Sequence, residues 1–311
     1  MAFDTSIRAV AAALCALALS TLPGASAGQG GEVAAGPTIV VDDVYRFYEL
    51  YDGAGGRPTA EQLQAYIDTG SPGLRHFAAA RRTTGVRIAE AIAARPQVYE
   101  DARRCVAVLP RMRPRLDAAL RELGRLYPEA RFPPITVAIG RSRPMGIADA
   151  SGVQVGLEVL CSIPYFDPNL EDRFVRVLAH EFVHSQQSPT LANATNQTVL
   201  QRSLEEGIAE FVTELITGDM SSAHLRRSVA GRETEVERAF LADKDNTDMS
   251  AWIDNGTFER PGDLGYWVGY RIAKAYYRNA PDKRRAVREM LQMTDHQAFF
   301  AASGWYPGIA L

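Results

Sequence analysis

Two histidines four residues apart, in the order His180-Glu-Phe-Val-His184, constrain this chain more than any other feature of its sequence. Residues at this spacing lie on one face of an α-helix, so both imidazoles can reach the same ion. The glutamate beside the first histidine, Glu181, is then placed to take a proton from water bound to that ion. The pattern predicts a helix with His180 and His184 as Zn²⁺ ligands and Glu181 as general base in zinc-assisted hydrolysis.

A third ligand must come from another part of the chain, because a catalytic zinc ion needs three protein ligands and one open position. A helix predicted over residues 199–217 contains Glu206-Gly-Ile-Ala-Glu210. These two glutamates are four residues apart, so Glu206 can bind the ion while Glu210 hydrogen-bonds a ligand histidine. Gly207 leaves room where two helices would have to approach closely.

Other interpretations of the same residues remain open. Glu205 is a competing ligand, although no acidic residue stands four positions after it. The glutamates could instead form a solvated polar face opposite the apolar stripe of their helix. The histidine pair could also be buried without an ion.

The first 27 residues predict a secretory signal. Arg8 gives a weakly positive start, an apolar run follows from residue 9 to 22, and Ala25-Ser-Ala27 is a small-residue cleavage site. The run is too short to span a bilayer comfortably, so no stable membrane anchor is expected. The chain has only three lysines, which points to a GC-rich bacterial genome and to a protein exported to the periplasm or secreted.

Charge and cysteine content narrow the possible partners and the compartment. The net charge is −3 and the arginines are dispersed among acidic residues, which argues against a nucleic-acid partner. The sequence does not indicate an oligomeric state. After the signal, Cys105 and Cys161 remain, and in an oxidising compartment an even pair is a candidate disulfide. Two buried free thiols are the alternative.

The hydrophobic pattern predicts a mostly α protein of the α+β class. Helical periodicity dominates from residue 41 to 127, and Pro133-Pro134 ends this part. Strands are predicted at residues 135–139 and 153–160, immediately before the histidine helix. Asn169 is the predicted N-cap of that helix, Gly218 ends the helix over 199–217, and two more helices are predicted near residues 265–278 and 282–293. We therefore divide the chain into the signal at 1–27, a helical N-terminal region at 28–130 and a second region at 131–311 that holds the metal site.

In these motifs the chain resembles the gluzincin metallopeptidases, in which His-Glu-x-x-His is followed by a helical glutamate ligand. The matching helix of their aminopeptidase branch reads Asn-Glu-Gly-Phe-Ala, similar to residues 205–209 except at the first position. Their catalytic tyrosine stands in Tyr-x-Lys-Gly, and Tyr266-Trp-Val-Gly269 is similar, with Val268 in place of the lysine.

A closer resemblance is to a bacterial family of predicted exported zinc-dependent proteases, and it covers most of the mature chain. The segments that carry it include Asp43–Asp52, Gly156–Glu158, the histidine helix, Glu206–Phe211 and Asp263–Tyr277.

These resemblances imply a zincin-like metallopeptidase fold and a zinc peptidase that acts on a peptide or protein substrate. They imply Tyr266, or secondly Tyr270, as the donor to the oxyanion, with an aromatic core stripe as the alternative. Glu158 could bind a substrate amine or be a solvated strand residue. An aminopeptidase is the alternative enzyme, and a zinc-containing envelope factor without catalysis is the alternative from another class.

Overall fold

A computed structural model describes residues 36–142, 145–163, 166–192, 195–257 and 261–311. The predicted secretory signal, residues 1–27, lies outside them. The described residues fall within one compact unit, Ala34–Leu311. In that part of the chain, no helix combines the length and the apolar character needed to cross a bilayer.

Helices make up most of the described chain. In order they are α1 (Asp42–Gly53), α2 (Ala60–Asp68), α3 (Pro72–Ala80), α4 (Gly85–Ala94), α5 (Pro96–Val106), α6 (Leu109–Leu126), α7 (Leu157–Ser162), α8 (Leu170–His184), α9 (Pro189–Ala192), α10 (Val199–Thr217), α11 (His224–Val229), α12 (Glu233–Asp243), α13 (Leu264–Asn279), α14 (Lys283–Leu291) and α15 (His296–Ser303).

A small sheet packs against α1, α3 and α8. Its strands are β1 (Ile39–Val40), β2 (Ile135–Ala138), β3 (Gly146–Asp149) and β4 (Gly152–Gly156), in the spatial order β1-β2-β4-β3. β1, β2 and β4 are parallel, and β3 pairs antiparallel with β4. This arrangement confirms the mostly helical α+β class.

The second predicted strand, at 153–160, is only partly correct. β4 ends at Gly156, and the next residues form the short helix α7. β4 also lies inside the sheet, whereas β3 forms the edge. Leu157 to Cys161 are buried throughout, and a short apolar run buried on all sides has the same pattern in a strand and in a helix.

Local signals in the sequence predicted the start of α8 and both ends of α10 correctly. The Asn169 side chain accepts a hydrogen bond from the backbone N–H of Asp172 and begins α8 as predicted. Thr198 caps α10 in the same way, and Gly218 ends it in a left-handed conformation at φ 90°. α13 and α14 lie within two residues of their predicted bounds.

α10 packs between α8 and α13, and its middle part from Ser203 to Thr213 is buried on every side. Glu206 and Glu210 are 4% and 0% exposed, so the alternative of a solvated polar face is wrong. Gly207 faces Gly269 of α13, where a β-carbon added at position 207 would lie 2.0 Å from the Gly269 carbonyl carbon. The two helices therefore cross with their backbones in contact, which confirms the close approach expected at Gly207.

A disulfide joins Cys105 of α5 to Cys161 of α7, with 6.1 Å between the α-carbons, and confirms that prediction. The bridge ties the N-terminal helices to the segment that precedes α8. One continuous apolar core runs from Ile39 to Ile309. The division between residues 130 and 131 stays a prediction.

Candidate metal centre

α8 and α10 bring together three side chains that could hold a metal ion. The Nε2 atoms of His180 and His184 lie 3.1 Å apart. Oε2 of Glu206 lies 3.3 Å from the first nitrogen and 3.2 Å from the second. All three side chains are largely buried, so the three atoms form a small triangle inside the protein.

The triangle fits a zinc ion. Tetrahedral zinc with bonds of about 2.0–2.1 Å separates its ligand atoms by about 3.3–3.4 Å, close to the observed edges. A hydrogen bond between two imidazole nitrogens can place only one proton between them, whereas an ion satisfies all three atoms together. The predicted donors His180, His184 and Glu206 therefore lie together in a geometry that fits Zn²⁺.

The pKa shifts at this site arise from a buried pair of opposite charges. Burial opposes protonation of His184, but the charge and hydrogen bond of Glu206 outweigh it and raise its pKa to about 9. Burial likewise opposes ionisation of Glu206, yet His184 and Arg202 hold its pKa well below the ordinary value. Glu206 is therefore ionised, the state in which a carboxylate binds a metal, whereas His184 must release its proton before it can bind one.

Each ligand histidine has a polar neighbour at its other ring nitrogen. Nδ1 of His184 lies 2.8 Å from Oε1 of Gln187, whose amide donates to the Glu205 carbonyl oxygen. Nδ1 of His180 lies 3.5 Å from Oε1 of Glu210 but has no hydrogen-bond partner among the described residues, so the hydrogen bond predicted for Glu210 is not formed. A hydrogen bond such as that between His184 and Gln187 fixes the orientation of a ligand ring. We did not predict the contact of Gln187 with His184 from the sequence, although the spacing of three residues could have indicated it.

Arg202 fixes which oxygen of Glu206 faces the histidines. Its Nη2 lies 2.7 Å from Oε1 of Glu206, which leaves Oε2 for the triangle. Its Nη1 lies 2.6 Å from Oε1 of Glu205, and Gln197 donates to the other oxygen of Glu205. The two carboxylate oxygens of Glu205, the competing ligand, are thus bound to Arg202 and Gln197, and Glu205 lies outside the triangle. Arg202 stands one helical turn before Glu206, a spacing that could have predicted the pair.

A cavity of about 410 Å³ lies over the triangle and leaves the fourth side of the ion position accessible. Glu181 lines it, with its carboxylate against Gly146 of β3. Tyr266 also lines it, and its ring is nearly parallel to that of His180, with 6.3 Å between centroids. Burial and the charge of Glu206 raise the pKa of Tyr266 well above its ordinary value. Both residues therefore lie in the wall of the cavity over the triangle.

Tyr270 does not reach the cavity. Its hydroxyl donates to the Glu214 carboxylate, and the Lys274 ammonium donates to the Tyr270 hydroxyl from 2.8 Å. Four residues along a helix correspond to a rise of about 6 Å, which carries Tyr270 past the cavity wall. The prediction of Tyr270 as an oxyanion donor is therefore wrong.

Glu158 is neither a solvated strand residue nor part of the cavity lining. Its side chain is buried and accepts hydrogen bonds from the backbone N–H groups of Gly140 and Ser142, at 3.1 and 2.9 Å. Burial raises its pKa. Glu158 therefore anchors the turn after β2, and both interpretations made from the sequence are wrong.

Comparison with known proteins found one family. A family model described as Gliding motility protein GldB matches residues 231–307, about a quarter of the chain. The matched segment includes α12 to α15 and begins after the three candidate ligands. The comparisons with curated proteins and with solved structures found no match.

The family match contradicts the peptidase interpretation. The resemblances to gluzincins and to predicted exported proteases implied a hydrolase, but the family found is one of gliding motility proteins. The predictions of a zinc peptidase and of an aminopeptidase are therefore wrong. Short motifs report an arrangement of donor groups, and one arrangement can serve different functions. Glu181 and Tyr266 are residues of the cavity wall with no reaction assigned to them.

The match agrees with the exported location predicted from residues 1–27. The GldB family consists of lipoproteins of the bacterial cell envelope.

Proposed function

We propose that this protein is an exported factor of the bacterial cell envelope that holds one zinc ion and has no catalytic role. The observation that carries the proposal is the triangle of His180 Nε2, His184 Nε2 and Glu206 Oε2, with edges of 3.1 to 3.3 Å. The similarity of residues 231–307 to an envelope family supports the location. The Cys105–Cys161 bridge supports the periplasm or the exterior, where disulfides persist.

The ion would link α8 and α10, which are joined by the segment 185–198. Its nitrogen ligands lie on α8 and its oxygen ligand on α10, so binding would hold these helices together across the cavity floor. Structural zinc contributes about 10–16 kcal/mol of apparent binding free energy in small zinc domains, comparable to the total stability of many proteins. The fourth position faces the cavity, where water or a donor atom from a partner can complete the coordination.

The order of elements supports a zincin-like architecture for residues 131–311. A small sheet precedes the His-Glu-x-x-His helix, and a second helix supplies the third ligand. We infer this architecture from the arrangement of the metal region alone, and it implies no reaction.

Zinc content of the purified mature chain tests this function. We expect one zinc per chain in the wild type and at least about 100-fold weaker binding in Glu206→Gln, since loss of an outer partner alone costs about 10–100-fold. The matched control is Glu205→Gln, which removes the same charge one residue away and should retain zinc. Zinc-free wild type, or normal binding by Glu206→Gln, would overturn the proposal.

A further inference from the structure

A depression of about 490 Å³, here called the arginine depression, lies apart from the metal centre and is lined by residues of α2, α3 and α4. Gln64 and Asp68 stand one turn apart on α2, so they share the face that this helix turns towards it. Arg75 lies on α3 and Arg87 on α4, while Arg82 lies in the turn between the two helices. Three guanidinium side chains from two helices and their connection therefore line one depression.

The arginine depression carries two more positive charges than negative ones. Among the described residues of its lining, Asp68 is the one acidic residue, and its carboxylate accepts a hydrogen bond from Gln64 at 2.8 Å. None of the ion pairs between described residues includes Asp68 or any of these three arginines. The surplus is local, since the whole chain has a net charge of −3.

The guanidinium groups keep donors for a ligand. Within the described residues they make two hydrogen bonds, from Arg75 to the Gly70 carbonyl oxygen and from Nη1 of Arg87 to the Arg82 carbonyl oxygen at 2.8 Å. Each guanidinium carries five N–H donors in a fork that matches phosphate oxygens. Most of these donors can therefore bind an anion without breaking a contact of the fold.

Arg82 occupies a backbone position that favours glycine. Its φ is 50°, in the left-handed region, where the β-carbon of an L-residue is crowded by the backbone. The N–H of Thr83 donates to the Ala78 carbonyl oxygen and that of Arg82 to the Ala79 carbonyl oxygen, which is the usual end of a helix at a glycine. An arginine retained in this conformation indicates a use for its side chain.

A phosphomonoester complements this lining better than a carboxylate does. It carries a charge of about −1.5 to −2 near neutral pH and three terminal oxygens that accept hydrogen bonds. Its charge and oxygens match the surplus of two charges and the three guanidinium groups, whereas a carboxylate has one charge and two oxygens. Ile67 and Ala78 are buried in the same lining and provide an apolar surface for the organic part of the ligand.

We propose that the arginine depression binds a phosphomonoester. The guanidinium groups of Arg75, Arg82 and Arg87 donate to the terminal phosphate oxygens, and the organic part rests against Ile67 and Ala78. The site shares no residue with the metal centre, so this proposal is independent of zinc binding.

Calorimetric titration of the full mature chain with glycerol 3-phosphate tests the proposal. We expect saturable binding to one site. Arg82→Gly should weaken it by about tenfold or more, because hydrogen bonds to a charged group are lost. The same variant should melt close to the wild-type temperature, since glycine adopts this φ without strain. Arg87→Lys keeps the charge but loses the fork and should also weaken binding.

The matched control is Arg238→Gln, which removes one positive charge at an exposed arginine of α12 and should bind like the wild type. Glutarate, a dicarboxylate, should bind at least about tenfold more weakly than glycerol 3-phosphate. Absence of saturable binding, equal binding of glutarate, or wild-type affinity in Arg82→Gly would overturn the proposal.

The phosphate could belong to a soluble molecule or to a lipid headgroup, and both present the same chemistry to the arginines. Vesicles that contain phosphatidic acid carry the phosphomonoester in lipid form. Binding to them that is tighter than binding to glycerol 3-phosphate, and is weakened by Arg82→Gly, would identify the lipid as the source. Weaker binding to the vesicles would identify a soluble phosphomonoester.

Discussion

Gly207→Ala should lower the free energy of unfolding by several kcal/mol or prevent folding. A β-carbon at this position would lie 2.0 Å from the carbonyl carbon of Gly269 and 2.1 Å from the nitrogen of Tyr270. Both are backbone atoms of α13, so no side-chain rotation can relieve the clash and the helices must separate. Overpacking a core costs about 1–3 kcal/mol, and more where the backbone must move, against a typical total of about 5–15 kcal/mol.

Urea denaturation followed by circular dichroism measures this effect. The matched control is Gly53→Ala at the last residue of α1, where an added β-carbon would have nothing within 4 Å. That variant should be neutral or more stable by up to about 1 kcal/mol, because alanine restricts the unfolded chain. A Gly207→Ala protein with the wild-type midpoint would show that α10 and α13 do not cross as described. The same variant should also bind zinc poorly, since α10 carries Glu206.

The double variant Cys105→Ser/Cys161→Ser should lose about 4 kcal/mol of stability. The bridge joins residues 56 positions apart. Closing a loop of this length lowers the conformational entropy of the unfolded chain and raises its free energy by about 4 kcal/mol. Denaturation should give the same midpoint for the double variant and for wild type in a reducing agent. Adding the reducing agent to the double variant should change nothing. Wild type that is insensitive to reduction would contradict a stabilising role for the bridge.

Local signals in the sequence predicted much of the metal region. The spacing of His180 and His184, the cap at Asn169 and the stop at Gly218 act within a few residues, so short-range rules predicted α8 and α10. We predicted that Glu206 lies beside the two histidines because a catalytic zinc ion needs a third protein ligand. The disulfide followed from an even number of cysteines in an exported chain.

Features that depend on long-range packing were not predictable in the same way. The run Leu157–Cys161 is helical and buried on all sides, and a run buried on all sides has the same hydrophobic pattern in a helix and in a strand. Tyr270 has the spacing to share a face with Tyr266, but its position along α13 carries it to Glu214 and Lys274. The peptidase prediction was wrong because it rested on the donor groups of α8 and α10. These groups specify a candidate metal site but no reaction, and the family match lies in α12 to α15.

X-ray absorption at the zinc edge, with anomalous diffraction from crystals of the mature wild-type chain, tests the central claim most directly. The account predicts one zinc ion bonded to Nε2 of His180, Nε2 of His184 and Oε2 of Glu206 at about 2.0–2.1 Å, with a light atom in the fourth position. A zinc peak away from these three side chains, or no zinc in protein purified without chelator, would contradict it.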